Sequence, residues 1–308
     1  MHLKSLKVFF YCIVLVFAVQ QNVHAQQKKV KKDIGLQLYS VRSMLGSYVN
    51  GANSYTTDYV PVLKKLAAMG FTVVEAAGYN NGTFYGSTPQ DFKANVDKSG
   101  LQVVSSHAGG GLSKKELESG DFTAALAWWD ACIDAHKAAG ITYIVSPWLD
   151  KPATLAELKV QCDFLNEVGK KCFEKGIKYG YHNHSHEFEK VENKDLMYDF
   201  MLQNTDPKYV FFEMDVYWTI IGRRSPVDYF KKYPGRFKTL HIKDRREIGQ
   251  SGMVGFDAIF KQAKTAGVER IFVELEETTG SLEEGLKTSI NYLLEAPFVP
   301  QRYENAKK

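Results

Sequence analysis

The 308-residue sequence has no CxxC pair, no GxGxxG after any early apolar run, no glycine-rich phosphate cradle and no low-complexity block. The missing cysteine pairs argue against a thiolate zinc site or a dithiol redox centre. The missing glycine motif argues against an open dinucleotide-binding sheet. No linker or charge run divides the chain, so it reads as one domain. The long apolar run Val8–Ala18 follows Lys4 and Lys7 and precedes the small-residue pattern Val23-His24-Ala25. This is the layout of a secretory signal peptide cleaved after Ala25. The run falls short of the roughly 20 apolar residues that a membrane span needs, so no stable membrane insertion is expected. Cys12 lies inside the run rather than just after it, which disfavours lipid attachment there.

The resulting division is a signal peptide over 1–25, a flexible mature N-terminus over 26–32, a barrel domain over 33–296 and a tail over 297–308. The expected location is exported, periplasmic or secreted. Residues 1–25 carry two lysines and no acids, so removing them lowers the formal charge from +4 to +2. A nearly neutral surface gives no electrostatic case for nucleic acid. Cys132, Cys162 and Cys172 remain, an odd number, and read as buried inert thiols.

What is present is alternation. Eight apolar, β-branched runs, Ile34–Tyr39, Thr72–Ala76, Gln102–Ser106, Thr142–Ser146, Lys178–His182, Val210–Met214, Lys238–Ile242 and Ile271–Leu275, alternate with amphipathic stretches. Glycines 70, 100, 140, 176 and 267 each stand between a helical pattern and an apolar run, where a left-handed residue closes a helix. Strand then helix, eight times, predicts an α/β fold: a single-domain (β/α)8 TIM barrel.

In such a barrel the chemistry sits where strands run into the following loops. Five of the six histidines outside the signal segment fall there: His107, His182, His184, His186 and His241; only His136 does not. Carboxylates join them as Glu75, Asp215, Glu274 and Glu276, with Lys243 beside His241. His182, Asp215, His241 and Glu274 come one each from runs five to eight. Imidazoles and two carboxylates converging from adjacent strands suit one divalent metal ion (Mn, Co, Zn, Mg or Fe). Alternate strand residues share a face, so His184, Lys243 and Glu276 stand above His182, His241 and Glu274, toward substrate. Glu75, His107, Trp148, Tyr217, Trp218 and Glu276 are the candidate substrate contacts, the aromatics as sugar-stacking platforms. Plain alternatives exist: Asp215 as a helix cap, Glu274 as an ion pair with Lys243 or Arg270, and the aromatics as loop packing. His186 and Glu187 lie farther into the loop and are weaker candidates.

Gly180-Tyr181-His182-Asn183-His184, Met214-Asp215-Val216-Tyr217-Trp218, Tyr233-Pro234-Gly235-Arg236-Phe237 and Leu240-His241-Ile242-Lys243-Asp244 resemble the xylose-isomerase-like TIM-barrel superfamily. They are most similar to its sugar phosphate isomerase/epimerase branch; the superfamily also includes the apurinic-endonuclease-type barrels. The resemblance runs from Gly35 to Glu274. It implies metal ligands of the types Glu, Asp, His and Glu on strands five to eight, the last three falling on Asp215, His241 and Glu274. The first departs, with His182 where Glu is expected. In the epimerases the two Glu ligands act as paired acid and base, so a different base is needed here. His184 is the first choice, with Lys243 or Glu274 as alternatives. The expectation is a metal-dependent enzyme that removes a proton beside a sugar carbonyl, as an isomerase, an epimerase or a 3-keto-glycoside lyase or hydrolase. Its partner would be a small-molecule sugar or glycoside. A non-catalytic exported carbohydrate-binding protein is the alternative, and homo-oligomerisation is left open.

Overall fold

All eight apolar runs form strands in the computed structural model of the chain, which describes residues 31–49, 52–55 and 58–303. The signal-peptide segment, and residues 26–30 of the mature N-terminus, lie outside those residues. The strands are β1 (Gly35–Gln37), β2 (Val73–Ala76), β3 (Gln102–His107), β4 (Tyr143–Ser146), β5 (Lys178–His182), β6 (Val210–Asp215), β7 (Phe237–Ile242) and β8 (Arg270–Val273). Each pairs in parallel with its neighbours, and β1 closes the ring against β8. The principal helices between them are α1 (Val60–Met69), α2 (Pro89–Lys98), α3 (Thr123–Ala138), α4 (Leu155–Glu174), α5 (Met197–Asn204), α6 (Pro226–Lys232), α7 (Phe256–Lys261) and α8 (Leu282–Glu295). This is the (β/α)8 barrel that the alternation predicts.

The local chemistry explains the boundaries. Thr88, Thr154, Ser225 and Ser281 each accept a backbone N–H of the helix they open, and Ser281 with Glu284 forms a full capping box. The five joint glycines all have positive φ. Gly267 is the tightest of them: at φ +91° an added Cβ would lie 2.9 Å from Gly235 Cα, so only glycine fits.

The barrel reaches past both of the limits drawn from sequence. Lys32 is buried and donates to the carbonyls of Leu293 and Ala296 at 3.0 and 2.6 Å. Asp33 N–H donates to the carbonyl of Gln301, and Val299 and Tyr303 are buried. Residues 297–303 therefore pack against the barrel rather than trailing from it. Cys132, Cys162 and Cys172 are free and buried, and burial pushes the Cys132 and Cys162 thiols up to about 12. Among the described residues no helix is long and apolar enough to cross a membrane.

Candidate metal centre and substrate cavity

Parallel strands bring all eight C-terminal ends to one rim, and register sets the height of each side chain there. Asp215 on β6 pairs with His241 on β7, and Glu213 pairs with His182 on β5. The result is a polar site of two layers in an otherwise apolar barrel.

The upper layer is the quartet expected from sequence. One donor atom each from His182, Asp215, His241 and Glu274 lies within 4.8 Å of the others. All four side chains are buried; Asp215 Oδ2 has no hydrogen-bond partner, and His182 Nδ1 has only a long contact with Glu213 Oε2 at 3.4 Å. Buried polar atoms are normally paired, because an orphan keeps its full desolvation cost. A tetrahedral zinc-type ion with ligand bonds of about 2.0–2.2 Å spaces its ligands by about 3.4 Å, so a small inward rotation of these side chains would complete a cage. The residues fit a divalent ion.

The plain readings of two ligands also hold, on their other atoms. Asp215 Oδ1 accepts from Trp218 N–H at 2.8 Å, capping the short helix Val216–Ile221, which leaves Oδ2 free. Glu274 Oε2 accepts from Lys243 Nζ at 2.9 Å, whereas Arg270 pairs with Asp33. Lys243 is buried, also contacts Glu276, and lies 5.1 Å over the Trp218 ring. Burial alone would lower its pKa, but Glu274, Asp215 and Glu276 outweigh that and raise it, so it is a fixed ammonium. Burial pushes the Asp215 carboxyl up to about 7, despite Lys243 nearby.

The lower layer contains a residue that the sequence reading missed. Glu213, fully buried, approaches His107 Nε2 at 2.8 Å, His241 Nε2 at 3.1 Å and His182 Nδ1 at 3.4 Å. The parity rule used for His241 and Lys243 would have found it, applied backwards from Asp215. Glu75 joins it, 2.6 Å from His241 Nε2, and accepts from Gln37 Nε2 and Ser105 Oγ. Despite burial, carboxylates at both ring nitrogens hold the His241 pKa well above the usual imidazole range. A metal at Nδ1, which lies 3.4 Å from Glu274, would have to displace a proton there while Glu75 keeps the one on Nε2. Glu75 therefore lies beneath the site and supports it; fully buried and held by protein groups, it is not a substrate contact. Burial opposes protonation of His107, but Glu75 and Glu213 prevail and raise it to about 9. Burial, together with His241 and His107, depresses His182 to about 4, leaving it neutral as a ligand must be.

Above both layers lies a cavity of about 460 Å³. His107, His182, His184 and Glu274 line it, with Trp148, Trp218 and Glu276 farther along the wall. Tyr217 is buried, its ring centroid 5.2 Å from that of Trp218. The His184 imidazole does not keep the near-neutral pKa expected of it: burial and the adjacent His182 pull it well below the usual range. It is thus an unprotonated imidazole at pH 7. Glu187, rated weak from sequence, is fully buried and accepts from His184 N–H at 2.9 Å and Tyr181 O–H at 2.7 Å. His186 Nε2 donates to the Leu149 carbonyl at 2.9 Å, tying this loop to the one carrying Trp148.

Residues 63–296 match the family described as xylose isomerase-like TIM barrel, and the chain belongs to that family. A sugar phosphate isomerase/epimerase from Parabacteroides distasonis has a similar structure: 37% identity and a TM-score of 0.78, over 87% of this chain and 100% of that one. The IolI protein, solved with a bound zinc atom, shares the fold at 14% identity and a TM-score of 0.65, over 88% of this chain and 99% of that one. Inosose dehydratase from Clostridium beijerinckii is 31% identical over 90 residues, a stretch spanning 29% of this chain and 29% of that curated relative.

Proposed function

We propose that this sugar isomerase/epimerase-like barrel is a metal-dependent enzyme that abstracts a proton from carbon next to a sugar carbonyl. One observation carries the reading: four buried donor groups, two with atoms that lack a hydrogen bond, converge under a cavity that an unprotonated imidazole also lines. His182, Asp215, His241 and Glu274 would hold the ion. When bound, it would supply Lewis-acid polarisation of the sugar oxygens beside the acidic C–H.

The chain's own groups divide the remaining work. His184, neutral and held through its backbone by Glu187, takes the proton from carbon. Its depressed basicity makes it a weak base, so the C–H would have to be strongly acidified by the bound ion for the transfer to proceed. His107, protonated at neutral pH and partly open to the cavity, is the donor. Lys243 neutralises Glu274 and Glu276 and fixes the wall opposite. Return of the proton to the neighbouring carbon isomerises the sugar, and return to the other face epimerises it. In the third outcome the C–H electron pair forms a C=C bond, the β C–O bond breaks, and His107 protonates the departing oxygen; this cleaves a glycoside.

The histidine at position 182 favours cleavage, because it removes one of the two carboxylates that a symmetric epimerase needs. Export, expected from the N-terminal segment, adds to that preference, since phosphorylated sugars are cytosolic metabolites. The test combines metal analysis with incubation of free ketoses and 3-keto-glycosides in D₂O. The expected result is about one metal ion per chain, lost in His182→Ala and Asp215→Ala, with deuterium incorporation or glycoside cleavage by the wild type. A metal-free wild type that added Mn²⁺, Co²⁺ or Zn²⁺ does not activate would overturn the metal centre. Sugars recovered undeuterated and uncleaved would instead make the chain a carbohydrate-binding protein.

A further inference from the structure

The rim of the cavity carries a feature that proton abstraction does not use. Among the described residues only five large hydrophobic side chains are exposed, and two of them, Tyr39 at 44% and Trp148 at 53%, line this cavity. Exposed aromatics scattered over a surface mean little, but two lining one cavity mark a contact surface. Tyr39 follows β1 and Trp148 follows β4, strands three places apart in the ring of eight, so the rings rise from nearly opposite sides of the mouth.

Both rings are held in place despite their exposure. Trp148 packs 4.5 Å from His186 and 4.9 Å from His184, and its Nε1–H donates to Asp150 at 2.9 Å. Its loop is pinned at Leu149, whose N–H donates to Tyr181 Oη and whose carbonyl accepts from His186. The Arg42 guanidinium stacks 4.2 Å from the Tyr39 ring and donates to the Tyr39 carbonyl. Tyr39 N–H donates to the same Gln37 that holds Glu75. Rigid, half-exposed Trp and Tyr offer amphipathic area at little entropic cost.

Volume points the same way. One sugar ring displaces on the order of six waters, roughly 180 Å³ at about 30 Å³ each, which leaves more than half of the 460 Å³ unfilled. We infer that the cavity takes a two-ring substrate, a glycoside whose second ring lies at the mouth against Trp148, with Tyr39 on the other side of the opening. This rests on the proposed function for the position of the first ring, over His182 and Glu274. The second ring needs only a flat apolar face, so either a second sugar or an aromatic aglycone meets the requirement.

The test is calorimetric titration of metal-loaded protein with four sugars (glucose, galactose, mannose and xylose), each free, as the methyl glycoside, as the phenyl glycoside and within a disaccharide. At least one two-ring ligand should bind roughly tenfold tighter than its one-ring counterpart. Trp148→Ala should erase that advantage and Trp148→Phe should keep most of it, with circular dichroism confirming that both variants are folded. The disaccharide and phenyl arms distinguish a sugar from an aromatic second ring. Equal affinity for one and two rings, an advantage that survives in Trp148→Ala, or no binding by any two-ring member would each overturn the inference. Failure of the proposed function would register separately, as absent metal or absent deuterium exchange.

Discussion

The two ends of the barrel both bury charge, but they treat it differently. At the N-terminal end Glu269 is buried and fully engaged: Tyr143 O–H donates to it at 2.6 Å, and Lys178 and Lys238 both reach it. Arg270 pairs with Asp33 at 3.0 Å, and Asp33 also accepts from Thr72. At the C-terminal end, His182 Nδ1, His184 Nδ1, Glu213 Oε1 and Asp215 Oδ2 are buried without hydrogen-bond partners. One end spends its polar groups on closing the fold, whereas the other keeps donor atoms in reserve. The N-terminal end has an unpartnered atom too, Arg270 Nε, but it is a cationic N–H, whereas the C-terminal orphans are imidazole and carboxylate atoms gathered at the rim where barrel sites lie.

The comparison can be broken by substitution. Asp215→Asn should have the largest effect, lowering metal affinity by more than about 100-fold, beyond the loss expected for a merely supporting partner. Because burial already pushes the Asp215 carboxyl up to about 7, the neutral amide should leave metal-free stability unchanged or higher. Metal analysis and thermal melts of the same samples check both halves, and a strongly destabilised variant would mean that Asp215 is structural.

Next is a pH effect confined to the mouth. His107 has a folded pKa of about 9, above its unfolded value near 6.5. Its stabilisation is therefore complete below pH 6.5 and lost as pH rises through 9, about 3 kcal/mol for the metal-free protein. Urea unfolding from pH 6 to 9.5 should show that slope, and His107→Gln should reduce it, the remainder coming from His241, which the same carboxylates also hold well above its usual range.

Glu269→Ala tests the opposite end. It strands the Tyr143 hydroxyl and should cost about 2 kcal/mol, moderated because both lysines are partly exposed. Metal content and the His107 slope should be untouched; a loss of metal would erase the distinction between the ends. The smallest effect belongs to Glu213→Gln, which keeps shape but removes the charge behind three imidazoles. Metal affinity should fall about tenfold, read by competition with a chelator.

Much of this was legible in the chain. Gly267 and its four counterparts marked helix ends because few other residues tolerate positive φ, and β5 begins and ends where the apolar run placed it. The convergence of His182, Asp215, His241 and Glu274 was legible because each lies at a strand end, and strand ends in a parallel barrel share one rim. That Glu75 and Tyr217 are buried was not legible, since depth below the rim depends on register between strands that no single strand reveals. Glu213 was hidden among apolar neighbours in Val210–Asp215 as one more strand residue.

The sequence by itself determined the eight barrel strands, the principal helices between them, five of their joints and the identity of the groups at the rim. These follow from local propensities and periodicities that a single strand or helix already carries. Only the tertiary structure decided which nitrogen of His241 faces which carboxylate, that His107 is protonated while His184 is not, and that Trp148 and Tyr39 face one cavity. Those outcomes depend on distances of a few ångströms between residues far apart in the chain, where burial and neighbouring charge, rather than residue type, set the chemistry.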